Sequence, residues 1–120
     1  MGLFGKHKKN IPSLDTGRID GVAADNENKL RMLLTDAIPW DNSLPEHDHL
    51  TQLQEKINNY IMFYESKQYK EIYPDLKPDG AVIEIHFIGA VSENCEKFLH
   101  AVNSQTAGSG IVIEYQTVQN

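Results

Sequence analysis

The side chains best suited to chemistry are concentrated in WDNSLPEHDHLTQLQEKINNYIMFYES, Trp40 to Ser66, where an indole, two imidazoles and several carboxylates precede a long apolar stripe. Histidine and carboxylate this close together suggest metal ligation or proton transfer. On a helix, however, His47 and His49 point ~200° apart around the axis and cannot grip one ion, while Glu46 and His49 share a face but lack a third ligand. No metal is expected here.

Two other groups invite a catalytic reading. Cys95, the only cysteine, needs a base, yet on a helix His100 lies ~140° away around the axis, and Cys95 falls on the apolar side with Phe98 and Leu99. It reads as a small core residue. A single cysteine also excludes an intrachain disulfide and a multi-cysteine zinc site. Glu84, His86 and Glu114 lie on what should be neighbouring strands, pointing to one open sheet face. Paired carboxylates with a histidine can do acid/base work, but only in a cleft that shifts their pKa values, and an open face supplies one only when a partner or second copy covers it. The chain has no glycine-rich phosphate loop and no nucleophile elbow. The expectation is a binding module rather than an enzyme, without a cofactor; a small enzyme acting through Glu84, His86 and Glu114 is the alternative.

The elements that position these residues follow from periodicity. RIDGVAAD and LRMLLTD, joined by NENK, read as a hairpin whose second strand puts Leu30, Met32 and Leu34 on one face. The first, with Gly21, Ala23 and Ala24, suits an edge strand with a bulge. Ser43 and Glu46 form a capping box, with Pro45 in the first turn of a helix whose stripe is Leu50, Leu53, Ile57, Tyr60, Ile61 and Tyr64, and whose polar side includes Glu55, Lys56 and Asn59. AVIEIHFIG is a strand, SENCEKFLHAVNSQ a second helix capped by Ser92, and IVIEYQTV the last strand.

The order is β-β-α-β-α-β. Single helices between successive strands make strands two, three and four parallel, so the expected fold is a two-layer α/β (α+β) sandwich: a four-stranded mixed sheet with two helices on one face. A ferredoxin-like fold would begin β-α-β. Residues 1–16 show no sustained period and are expected to form a disordered tail, with 17–120 as a single domain. Gly2 lacks the rest of a myristoylation motif, since Lys6 stands at the usual Ser/Thr position. No secretory signal and no apolar run of ~20 residues is seen, so a cytoplasmic protein without a membrane partner is expected.

The formal net charge is −6; the first 16 residues carry Lys6, Lys8 and Lys9 against Asp15, leaving the remainder at −8. An acidic field repels phosphate backbones, which excludes nucleic acid and favours a basic protein partner. An immunity-type inhibitor of a basic toxin fits that description. Self-association through the exposed sheet face, using Val82, Ile88 and Val112, is the other expectation, giving a homodimer or a homo-oligomeric structural protein.

Trp40-Asp41, Glu46-His47, LQEKINNYIMFYES, Tyr73-Pro74 and VIEIHF together resemble a family of small bacterial proteins known as a domain of unknown function. The likeness runs from Ile19 to Tyr115. It implies a bacterial cytosolic origin and a compact single domain, and brings no catalytic residue or cofactor with it.

If strands two and three are parallel, the loops at residues 36–42 and 89–92 leave the same sheet edge, where open α/β sheets place ligands. Trp40, Asp41, His47 and Ser92 are therefore the expected binding residues. The competing reading makes Trp40 a hydrophobic plug under the first helix and Asp41 a turn former.

Overall fold

The computed structural model describes residues 11–118. Expectations about Gly2, the three N-terminal lysines and the first ten residues of the tail lie outside that range. The elements are β1 (Gly21–Ala24), β2 (Lys29–Asp36), α1 (Glu46–Glu65), β3 (Gly80–Ile88), α2 (Glu93–Thr106) and β4 (Ile111–Val118), with short 3-10 turns at Gln68–Glu71 and Ala107–Ser109. The sheet order is β1-β2-β3-β4, with β1 antiparallel to β2 and the other three strands parallel. This is the expected two-layer sandwich.

Strand alternation decides which side is covered. Leu30, Met32, Leu34, Ile83, Ile85, Phe87, Ile111 and Ile113 form one buried cluster with Leu53, Ile57 and Tyr60 of α1 and Cys95 and Leu99 of α2. Each large side chain so buried contributes ~1.5–3 kcal/mol, which is what fixes both helices to this face. Among the described residues, no helix covers the opposite face.

The β1–β2 hairpin closes around Asp25, whose carboxylate accepts the N–H groups of Glu27 and Lys29 (both 2.9 Å), while Asn28 adopts a left-handed conformation (φ 61°) that asparagine tolerates. β1 is an edge strand as expected, but it pairs continuously from Gly21↔Leu33 to Ala24↔Leu30, without a bulge.

Two local expectations need correction. Helix α1 starts at Glu46 with Pro45 at its N-cap and no side-chain cap, so the Ser43–Glu46 capping box does not form. Asp41 lies closer and takes both the N–H (2.9 Å) and the hydroxyl of Ser43, which turns Ser43 from an acceptor into a donor. Glu46 instead accepts a hydrogen bond from Asn94 of α2 (3.0 Å), tying the two helix N-termini together. Lys56, assigned to the polar side, is buried, with its ammonium 3.0 Å from Asp20. Asp20 also accepts the Thr35 N–H (2.8 Å), and the Tyr60 hydroxyl accepts from the Asp20 N–H while donating to the Leu33 carbonyl. Burial pushes the Tyr60 phenol up, so it stays a donor.

Residues ahead of β1 also touch the helix. The Leu14 N–H donates to Gln52 (2.8 Å) and Asn59 donates to the Thr16 carbonyl (2.6 Å).

Ser92 does cap α2, accepting the Cys95 N–H at 3.1 Å. Ser92→Ala should therefore cost about 1 kcal/mol in urea unfolding, while Ser43→Ala, which removes no cap, should cost under about half of that. Equal losses would restore the capping box.

Candidate functional site

Two places gather polar side chains: the carboxyl edge of the parallel strands and the open face of the sheet. The carboxyl edge is built on Asp36, the last residue of β2, which continues the stripe of Leu30, Met32 and Leu34 and so faces the core. Both Asp36 and His49 have no exposed side-chain surface, and their Oδ2 and Nε2 atoms are 2.7 Å apart. Facing a carboxylate, Nε2 carries the proton and donates it. The second carboxylate oxygen accepts the Ile38 N–H at 3.0 Å.

Trp40 lies flat against the His49 ring, with centroids 3.6 Å apart and planes 9° from parallel, and meets the Phe87 ring at 6.2 Å in an edge arrangement. Its indole N–H and His49 Nδ1 are buried with no hydrogen-bond partner among the described residues. Ile38 and Leu44, from the same loop, are also buried, and Trp40 packs partly buried against the core cluster. The loop packs inward as a plug.

The four residues expected to bind at this edge are thus separated in role. Trp40 is stacked on His49, Asp41 holds Ser43, Ser92 caps α2, and His47 is exposed, ~200° around α1 from His49. Cys95 is fully buried nearby. Burial first, and then the charges of Asp36, Glu96 and Glu46, push its thiol up to about 12, so no thiolate nucleophile exists at neutral pH.

His49 and Asp36 were not selected from the sequence, though a signal existed. Asp36 sits at an even position in an apolar stripe, and His49 lies four residues before Leu53 on the buried line of α1. A carboxylate and an imidazole each aimed at the same core are expected to meet.

On the open face, register places Leu33 beside Glu84 and Glu84 beside Glu114, with Thr35, His86 and Gln116 one step further. Two like charges on neighbouring strands repel unless a cation joins them. Arg31 supplies it, with Nη1 2.6 Å from Glu84 and 3.3 Å from Glu114, and its Nε 3.5 Å from Asp25. His86 Nε2 is 2.5 Å from the other oxygen of Glu84 and 2.9 Å from the Gln116 amide. Glu84, His86 and Glu114 do come together, with Arg31 as the member the sequence reading lacked. The bond from His86, followed by that from Arg31, holds the Glu84 carboxyl below its usual range despite partial burial. A carboxylate held ionised by a guanidinium is a charge anchor, not an acid poised near neutral pH.

Beside this cluster runs a groove of about 310 Å³ lined by Gly21, Val22, Ala23 and Leu33, with Arg31, Glu84 and His86 on its other wall. It exists because the β1 residues on this face, Gly21 and Ala23, have almost no side chain. Among the described residues, no group of three or more His, Cys, Asp or Glu is placed to hold a metal, and no helix is long and apolar enough to cross a membrane.

A family described as of unknown function (DUF6572) matches residues 12–119. The chain belongs to that family. The resemblance drawn from Ile19 to Tyr115 lies inside the DUF6572 match, which begins before β1 and runs past β4. No curated protein and no solved structure matches the chain. Membership of DUF6572 carries no activity with it.

Two outcomes follow for stability. Asp36→Ala should cost at least about 3 kcal/mol, because it strands His49 in the core, and Trp40→Ala about 3 kcal/mol through loss of the plug; chemical denaturation that finds either within experimental error of wild type would contradict the packing described. Glu84 should also shape the acid limb. With its folded-state pKa below the ordinary ~4.3 of an unfolded glutamate, its stabilisation is complete above that value and disappears as pH falls through the lowered one. Glu84→Gln should remove that dependence, by under about 1 kcal/mol for a pair partly open to solvent.

Proposed function

We propose that this protein is a non-enzymatic protein-binding module that contacts a basic protein through the open face of its sheet. The observation that carries the reading is the pairing, on one helix-free face, of an apolar floor with an acidic cluster. Gly21, Ala23 and Leu33 supply the floor, and Asp25, Glu84 and Glu114 outnumber their one guanidinium, Arg31. An apolar groove bordered by charge suits an interaction site, and a fixed negative field speeds encounter with a positive partner. The chain's net charge of −6 acts in the same direction. A small acidic inhibitor bound to a basic toxin is one instance of such a pairing.

On this proposal Trp40, Asp41 and Ser92 shape the carboxyl edge and support the fold, while the exposed His47 side chain takes no part in it. The enzyme alternative is less well supported, since Glu84 and His86 are already paired with each other and lie in a shallow, open groove.

The two faces can be separated by mutation. Leu33→Arg, placing a cation in the groove, should abolish capture of a basic partner by the immobilised chain, and Glu114→Lys should weaken it with a reduced salt dependence. His47→Ala should leave it intact. Loss of capture through His47→Ala, with Leu33→Arg still active, would move the binding surface to the carboxyl edge.

A further inference from the structure

The outer edge of β4 has properties that the open-face reading does not use. It is the longer of the two sheet edges, eight residues against four in β1, and its sequence, IVIEYQTV, contains no proline and no lysine. It pairs with β3 without a bulge from Ala81↔Ile111 to Ile88↔Val118. Natural edge strands are normally blunted by one of these devices, because a row of unpaired N–H and C=O groups is a template for another strand.

The hydrogen bonds show where this edge is blocked and where it is not. The Gly110 and Val118 carbonyls accept from Ala81 and Gly89, so even-numbered main-chain groups face β3 and odd-numbered ones face outward. At the start of the strand the outward groups are occupied by side chains of α2: the Thr106 hydroxyl donates to the Ile111 carbonyl (2.9 Å), and the Ile113 N–H donates to Asn103 Oδ1 (3.1 Å). Beyond Ile113 the helix meets the strand through a side chain only, the Tyr115 hydroxyl donating to Glu96 (3.3 Å). The outward N–H and C=O groups of Tyr115 and Thr117 meet no described residue. Val112, Tyr115 and Val118 are also 44 %, 41 % and 39 % exposed, so large apolar side chains left in solvent gather on this strand.

We propose that this edge pairs with β4 of a second copy of the chain, antiparallel and centred on Tyr115, so that the four-stranded sheet continues across a two-fold axis. The commitment to a second copy rests on self-complementarity. This register sets Val112 opposite Val118 and Glu114 opposite Gln116 on the open face, and Tyr115 opposite itself and Ile113 opposite Thr117 on the helix side. Val112 with Val118 and Tyr115 with Tyr115 are apolar or aromatic pairs, Glu114 with Gln116 sets a carboxylate against an amide, and Ile113 with Thr117 joins two β-branched residues. Centring on Glu114 would oppose two carboxylates, and centring on Gln116 would set Glu114 against Val118. The Tyr115 residues exchange two main-chain hydrogen bonds, the Thr117 N–H reaches the Ile113 carbonyl, and the Thr117 carbonyl takes the place of Asn103 Oδ1 on the Ile113 N–H. Such pairing leaves the groove beside β1 uncovered, at the far edge of each sheet.

The test is the mass of the full chain by sedimentation equilibrium over a concentration series. Wild type should reach about twice its 13.6 kDa chain mass. Thr117→Pro deletes one outward N–H, tolerated on an edge strand, and should sediment as a monomer with unchanged far-UV circular dichroism. Leu33→Arg should stay dimeric. Tyr115→Cys should form an intermolecular disulfide on mild oxidation, since directly opposed hydrogen-bonded residues have Cα atoms ~5.5 Å apart and Cys95 is buried. A wild type that is monomeric at every concentration overturns the proposal, as does a dimer that survives Thr117→Pro, one that dissociates with Leu33→Arg, or a Tyr115→Cys chain that does not crosslink.

Discussion

A carboxylate at the core end of a strand is the constraint around which this small fold is arranged. Asp36 follows three buried apolar residues on the covered face of β2 and has no exposed surface of its own. An unpaired charge there would cost several kcal/mol, so the chain must bring it a donor. It brings His49, from the first turn of α1, and the Ile38 amide. Meeting that demand sets the rotation of α1 about its axis, because His49 can reach Asp36 only when Leu53, Ile57 and Tyr60, on the same line, face the sheet. Trp40 then covers the pair, and the loop between β2 and α1 follows it inward.

The consequence reaches the other side of the molecule. Open α/β sheets offer their carboxyl edge to ligands by geometry, but here that edge is filled by Trp40, Ile38 and Leu44. Both helices are committed to one face, so the other is left with Arg31 bridging Glu84 and Glu114 beside a groove floored by small β1 residues. The charges there are organised rather than merely solvated: Arg31 and His86 hold Glu84 in place, and Arg31 also holds Glu114, which register brings alongside. That fixed charge beside an apolar groove is what the proposed recognition of another protein rests on.

The architecture was legible because it follows from local periodicity. Leu30, Met32 and Leu34, then Ile83, Ile85 and Phe87, alternate cleanly, and the stripe from Leu53 through Ile57 to Tyr60 has helical spacing, so element order and layering could be read off. Cys95 and Ser92 behaved as their positions required. The polar pairs were harder, because their partners are far apart in the chain: Lys56 with Asp20 and Arg31 with Glu84 depend on which strands become neighbours. Ser43 misled for a local reason, since the competing acceptor Asp41 stands only two residues away and the helix starts later than the capping pattern suggests. Beside His47, His49 reads as a metal ligand, although its place on the buried stripe points to the core.

The account turns on the carboxyl edge being a packed plug rather than an open recognition surface, and the single tryptophan of the chain reports on it directly. Its indole N–H is buried, so hydrogen exchange at that one resonance, followed by NMR in D2O, measures how often the plug opens. The account predicts exchange as slow as the amides of Leu34 and Ile85 in the core strands, governed by global unfolding. Exchange within seconds at neutral pH, with those core amides still protected, would show that Trp40 leaves His49 in the native state and would contradict it.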